Sequence, residues 1–92
     1  MPYKNIYGEN CYGFSWLKAD PGSNDFKPST GGNTVWAKNK DKAIRNVNRD
    51  RKAFEKENPT HARLRVNEET VRRFKNAEEH REFDYGLYLM TV

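Results

Sequence analysis

The sequence holds a single cysteine, Cys11, so no disulfide can close within one copy and no Cys-rich zinc site can be built from it. It also lacks a long apolar run. The longest, Tyr85 to Met90, falls well short of the ~20 residues of a membrane span or the ~7 to 15 of a signal peptide's apolar stretch. These absences predict a protein of a reducing, intracellular compartment, cytoplasmic and without a membrane partner. Large core-forming residues are scarce as well: Leu, Ile, Val and Phe together number 16 of 92, only 11 of them aliphatic. That is below the ~20% level that marks disorder when net charge is also high. The charge condition fails, because 17 basic and 13 acidic residues leave only +4, and 5 Tyr, 5 Phe and 2 Trp replace the missing aliphatics. A mean hydropathy of −1.14 thus goes with a small, aromatic-cored folded unit. At this length residues 1–92 are expected to form a single domain.

Patterns that carry catalysis are missing too. Cys11, His61 and His80 are the makings of a thiol–imidazole pair, but nothing in their spacing brings them together. His80 with Glu79 and Asp84 has no recognised metal-ligand spacing. Gly31-Gly32-Asn33 precedes a strand rather than a helix, unlike a phosphate-binding loop. The run from Arg65 to Phe74 lacks the Lys/Arg-Gly-Phe/Tyr pattern of RNA-recognition sheets. The expectation is a protein that is not an enzyme and uses no cofactor and no metal.

Periodicity supplies the elements. Residues 11–18 alternate Tyr12, Phe14 and Trp16 against Gly13 and Ser15, a strand with one aromatic face. Residues 19–33 are rich in turn formers and predict a long, flexible loop, followed by a short strand at 34–37 that holds Trp36. Asn39 caps a helix from Lys40 to Glu57, with Ala43, Ile44, Val47 and Phe54 on its inner face and Asn58-Pro59 as its stop. Residues 62–66 alternate Arg63 and Arg65 with Leu64 and Val66, a strand with the arginines facing outward. Asn67 with Glu68 and Glu69 predicts a second helix over 67–83, with a break point near Asn76, which forms a capping-box pattern with Glu79. Residues 85–92, apolar on both faces, read as a closing strand. The order β-β-α-β-α-β predicts a two-layer α+β domain of about four strands with both helices on one face of the sheet.

Charge patterning carries the functional signal. Lys42, Arg45, Arg49, Lys52 and Lys56 recur at spacings of 3, 4, 3 and 4 on the first helix. At about 100° per residue they make a stripe roughly 80° wide and ~21 Å long with no acid inside it. Such a ridge matches successive phosphates in a sequence-independent, salt-sensitive way. Patterned basic side chains more often simply coat a solvated helix face, and neighbouring acids would neutralise the ridge through pairs such as Asp41 with Arg45. Arg63, Arg65, Arg72 and Arg73 form a second basic group whose guanidinium forks suit phosphate or carboxylate. Its simpler account is i,i+4 pairing of Glu68 with Arg72 and Glu69 with Arg73. Tyr3, Tyr7, Tyr12, Phe26, Trp36 and Tyr88 are the rings that could stack on bases, while Phe14, Trp16, Phe54 and Phe74 are needed in the core.

Three functions follow from these features. The first is a binding protein that docks the Lys42–Lys56 ridge on nucleic acid or another polyanion, with Arg63, Arg65, Arg72 and Arg73 as auxiliaries. The second is an accessory or inhibitor protein, a class that includes small viral regulators, which contacts a protein partner through the 19–33 loop, Phe26, Lys27 and Trp36. The third is a binder of a nucleotide-like small ligand at a homodimer interface, since one chain of this size has little room for an enclosed pocket.

Overall fold

In the computed structural model, which describes residues 2–91, four strands and two helices make a small α+β domain with one open antiparallel sheet. The elements are β1 (Asn10–Ala19), β2 (Lys27–Ala37), α1 (Lys40–Glu57), β3 (Arg63–Val66), β4 (Arg72–Arg73) and α2 (Ala77–Thr91), with a 3₁₀ turn at Glu68–Thr70 between β3 and β4. β1 is the hub. β2 runs along one side of it, and β3 and β4 share the other, pairing with Trp16–Ala19 and with Tyr12–Gly13 respectively. Between them the chain steps away from the sheet, and Ser15 would lose its ladder partners there. Thr70 Oγ1 accepts the Ser15 amide at 2.8 Å and the Asn67 amide donates to the Ser15 carbonyl at 2.9 Å, so one side chain and one stray amide complete the row.

The turn-rich segment 19–33 is shorter as a loop than its composition suggests. β2 begins at Lys27, leaving the connection 20–26, and the register slips between Ser15 and Leu17, where β2 bulges. Glycine is required at that bulge: a Cβ on Gly32 would stand 2.2 Å from the Phe14 carbonyl oxygen. Pro28 is tolerated because β2 is an edge strand with no outer neighbour to satisfy.

α1 spans the residues that the sequence assigns to it, with the Asn39 side chain accepting the Lys42 amide at 2.9 Å and Asn58 ending it. The C-terminal third differs from expectation in its boundaries. Residues 67–76 are not α-helical; after the 3₁₀ turn at Glu68–Thr70 they supply β4, without which the N-terminal half of β1 would have a bare edge. The expected break at Asn76 is the true helix start: Asn76 Oδ1 accepts the Glu79 amide at 2.9 Å, and Glu79 Oε1 reaches back to the amide of Lys75, the residue before the cap, at 2.8 Å, a variant of the capping box. The strand expected at 85–92 is the second half of α2, apart from Val92, which lies outside the described residues. From Ala77 to Met90 there is no β-branched residue, and Leu, Met, Glu and Ala favour helix.

The helices take opposite faces of the sheet rather than the single face expected. Directly paired residues share a face, so Tyr12 goes with Val35 and Cys11 with Trp36. Tyr12 and Val35 pack with Ala37, Ala43 and Val71, which is the α1 side. Cys11 and Trp36 meet His80, and Gly13 lies under Phe74 and Phe83, which is the α2 side. Alternation along β1 makes this unavoidable, because Cys11 and Gly13 are as fully buried as Tyr12 and Phe14 and need a cover of their own.

Candidate nucleic-acid interface

All five residues of the predicted stripe, Lys42, Arg45, Arg49, Lys52 and Lys56, are exposed on the outer side of α1. Their backbone is fixed by the Asn39 cap and by the burial of Ala43 against the sheet, which sets the rotation of the helix. Arg49 shares a solvent-exposed pair with Asp50 at 3.4 Å, an interaction of small consequence. Lys42, Arg45, Lys52 and Lys56 have no ion pair among the described residues, and the neutralising contact of Asp41 with Arg45 is not made. Arg51 is separate from the stripe: it turns inward over the rings of Phe54, at 4.4 Å, and Trp16, at 5.9 Å. Phe54, expected in the core, is consequently only half-covered, between Arg51 and the edge of His61.

The arginines of β3 have the opposite character. Arg63 and Arg65 do not face outward; both reach α1 and grip Glu55. Arg65 Nη1 donates to Oε2 at 2.6 Å and Nη2 to Oε1 at 3.1 Å, Arg63 Nε donates to Oε1 at 3.1 Å, and the Leu64 amide adds a bond at 3.2 Å. Burial alone would raise the Glu55 carboxyl, but the hydrogen bonds from Arg65, Arg63 and Leu64, with the charge of Arg65, overcome it and bring the group down to about 2. Arg63 also donates to the Ser23 carbonyl at 2.7 Å and to Asn24 Oδ1 at 2.6 Å, and both guanidiniums stand 5.2 Å from the Phe26 ring centre. The 20–26 connection is thereby pinned, and Phe26 is its pin rather than an offered contact. Lys27 is exposed beside Asp25, and Trp36 is half-buried against Tyr3 and His80. Arg72 and Arg73 sit on strand β4, not on a helix, and point to opposite sides of the sheet, so the pairs with Glu68 and Glu69 do not form.

An open groove of about 690 Å³ runs between the last turns of α1 and β3, with Lys52, Lys56, His61, Arg63 and Arg65 around Glu55. It unites two members of the stripe with two of the second basic group. It sits, however, at the negative end of α1, whose dipole amounts to about half a charge. Two whole lysine charges outweigh that, but the guanidiniums are already committed to Glu55. The groove is therefore an auxiliary to the stripe.

On the other side of the sheet the charge reverses. α2 carries Glu78, Glu79, Glu82 and Asp84 against Arg81 alone, while α1 carries seven cations against four carboxylates. One cluster under α2 joins residues that sequence spacing leaves apart: the Cys11 thiol is 3.8 Å from both ring nitrogens of His80, Tyr3 Oη is 2.8 Å from Nδ1, and Asp84 Oδ2 is 3.3 Å from Nε2. The order resembles a nucleophilic triad, but the thiol is wholly buried. Burial first, and then the charge of Asp84, push it up to about 11, the reverse of an activated thiolate. Phe74 stacks on the same imidazole at 5.1 Å, so His80 is a packed core group with its polar atoms satisfied. Among the described residues no group of three or more His, Cys, Asp or Glu is arranged to hold a metal ion, and no helix is long and apolar enough to cross a membrane.

Of the rings that sequence suggests for base stacking, Tyr12 is buried, Tyr3 and Trp36 pack about His80, and Phe26 is pinned. Tyr88 lies against Tyr85 near the end of α2, where Leu89 and Met90 are also exposed. Tyr7 stands out in solvent together with Ile6, a neighbour that the sequence does not single out; the Asn5 to Gly8 turn signature is what would have marked it. Comparison with family models, curated proteins and solved structures finds no match for this chain.

Proposed function

We propose that the protein is a non-enzymatic binder of nucleic acid, or of a polyanion of the same phosphate spacing, which it engages along the outer face of α1. The observation that carries this reading is the contrast between two sets of cations. Arg63, Arg65 and Arg51 are spent inside the fold on Glu55, Phe26 and Phe54, whereas Lys42, Arg45, Lys52 and Lys56 are exposed in a single line with no ion pair among the described residues. Opposite charge on the two helices supports it further, because a field of that shape presents α1 and not α2 to a polyanion. A protein partner taken through residues 20–26 has less support, since Arg63 and Arg65 hold that segment and its one aromatic ring down.

The test is fluorescence-anisotropy titration of labelled DNA and RNA at ~50 and ~200 mM salt. Binding that weakens steeply over that range is expected, with a slope of about 0.9 per phosphate contact on a duplex. Arg45→Glu combined with Arg49→Glu should abolish it while the circular dichroism spectrum is unchanged, as both side chains are exposed. Equal affinity of this variant and wild type would refute the reading.

A further inference from the structure

Ile6 and Tyr7 are the most exposed large hydrophobic residues of the described chain, at 91% and 71% of their surface. Residues so placed usually sit on a yielding loop. Here the loop is among the most heavily bonded segments of the protein. Lys4 and Asn10 pair as an antiparallel bridge at its base. Asn5 organises the rest: its Oδ1 accepts the amides of Tyr7 at 3.0 Å and Glu9 at 2.9 Å, and its Nδ2 donates to Glu9 Oε1 at 2.9 Å. The Asn5 amide donates to the Glu9 carbonyl at 3.1 Å and the Gly8 amide to the Asn5 carbonyl at 3.0 Å, with Gly8 supplying the left-handed φ of 73°. The Lys38 ammonium donates to the Tyr7 carbonyl, and the Lys4 ammonium to that of Gly8. The turn is thus set before anything meets it, so little conformational freedom remains to be lost on contact.

Its position is the second observation. Lys38 stands immediately before Asn39, the cap of α1, so the tip lies at the end of α1 from which the cationic stripe departs. A stacking ring at the head of a phosphate-binding ridge is the combination by which single strands are held, because bases in a duplex already have both faces covered. We propose that Tyr7 is a stacking platform for an unpaired base of single-stranded nucleic acid, flanked by Ile6, with the strand's phosphates carried by α1. This rests on the polyanion reading of the stripe and adds to it a strand type and a contact to the base.

The experiment compares wild type, Tyr7→Ala and Tyr7→Phe on three labelled ligands of equal length: a thymine strand, the same strand with abasic sites, and a duplex. Wild type is expected to prefer the thymine strand over the abasic strand by about tenfold. Tyr7→Ala should lose that preference and bind both strands as wild type binds the abasic one, with its salt slope and Tm unchanged; Tyr7→Phe, which keeps the ring, should retain it. Equal wild-type affinity for the thymine and abasic strands would overturn the proposal while leaving the polyanion reading intact. So would tighter binding of the duplex, or a preference that survives in Tyr7→Ala. Failure to bind any of the three ligands at low salt would overturn both.

Discussion

Glu55 does two jobs that pull in different directions, and replacing it separates them. Its carboxylate joins α1 to β3 through two guanidiniums, and its single negative charge also cancels half of the charge those guanidiniums would offer to the groove. Glu55→Gln is expected to destabilise the fold by about 2 kcal/mol, since it leaves two largely covered arginines without a counter-charge. The same change should tighten binding of inorganic phosphate or oligonucleotide, because Arg63 and Arg65 are freed beside Lys52 and Lys56. Urea denaturation and anisotropy on one preparation check both effects. The acid limb of stability tests the wild-type pair. The folded carboxyl lies at about 2 against an ordinary 4.5, so its contribution is complete above pH ~4.5 and is lost as pH falls toward 2, on the order of 3 kcal/mol in all. A Glu55→Gln chain should show a shallower loss of stability across that window.

β2 and α2 each contain a glycine whose replacement has a different sign, and the difference follows from what surrounds it. Gly32→Ala would drive a methyl group into the Phe14 carbonyl, with Leu87 3.3 Å away on the other side, and is expected to cost about 2 kcal/mol. Gly86→Ala meets nothing within 4 Å in the middle of α2 and should stabilise the protein by about 1 kcal/mol. Urea midpoints of the two variants decide this. The two glycines also show what was legible in the sequence. α1 could be read to the residue because its caps, its inner face and its stop all agree. β1 was plain from its aromatic alternation. The 27–33 half of β2 was hidden because its glycines and proline, normally marks of a loop, serve a bulge and an edge strand there. α2 was misplaced because period 2 and period 3.6 cannot be told apart in a segment apolar on every side, and because Arg72-Arg73 is strand only by virtue of the open edge beside β1. The basic stripe was legible for the same reason as α1. Arg63 and Arg65 were not, since alternation shows which residues share a face but not that Glu55 lies across from them; the Asn5 to Gly8 turn signature was there to read, but only the hydrogen bonds show how firmly Asn5 holds Ile6 and Tyr7 out in solvent.

As a molecule of 44 × 28 × 21 Å, the protein is a sheet held between a basic helix and an acidic one. The acids of α2 are separated from the stripe by the thickness of the sandwich, which exceeds the Debye length of about 8 Å at physiological ionic strength. Glu78→Gln with Glu82→Gln should therefore raise oligonucleotide affinity at low salt, and the gain should vanish at physiological salt. An increase that persists there would mean that α2 touches the ligand, and would place the strand on the wrong face of the sheet. The same layered arrangement bears on how the chain comes off the ribosome. The hairpin of β1 and β2 can zip up while both of its faces are still wet. α1 covers Tyr12 and its neighbours as soon as it emerges, but Cys11 and Trp36 stay bare until α2 arrives. A nascent chain that has emerged only as far as the segment between Glu57 and Ala77 is half a sandwich with Cys11, Gly13 and Trp36 uncovered, and that interval is when a chaperone has most to grip.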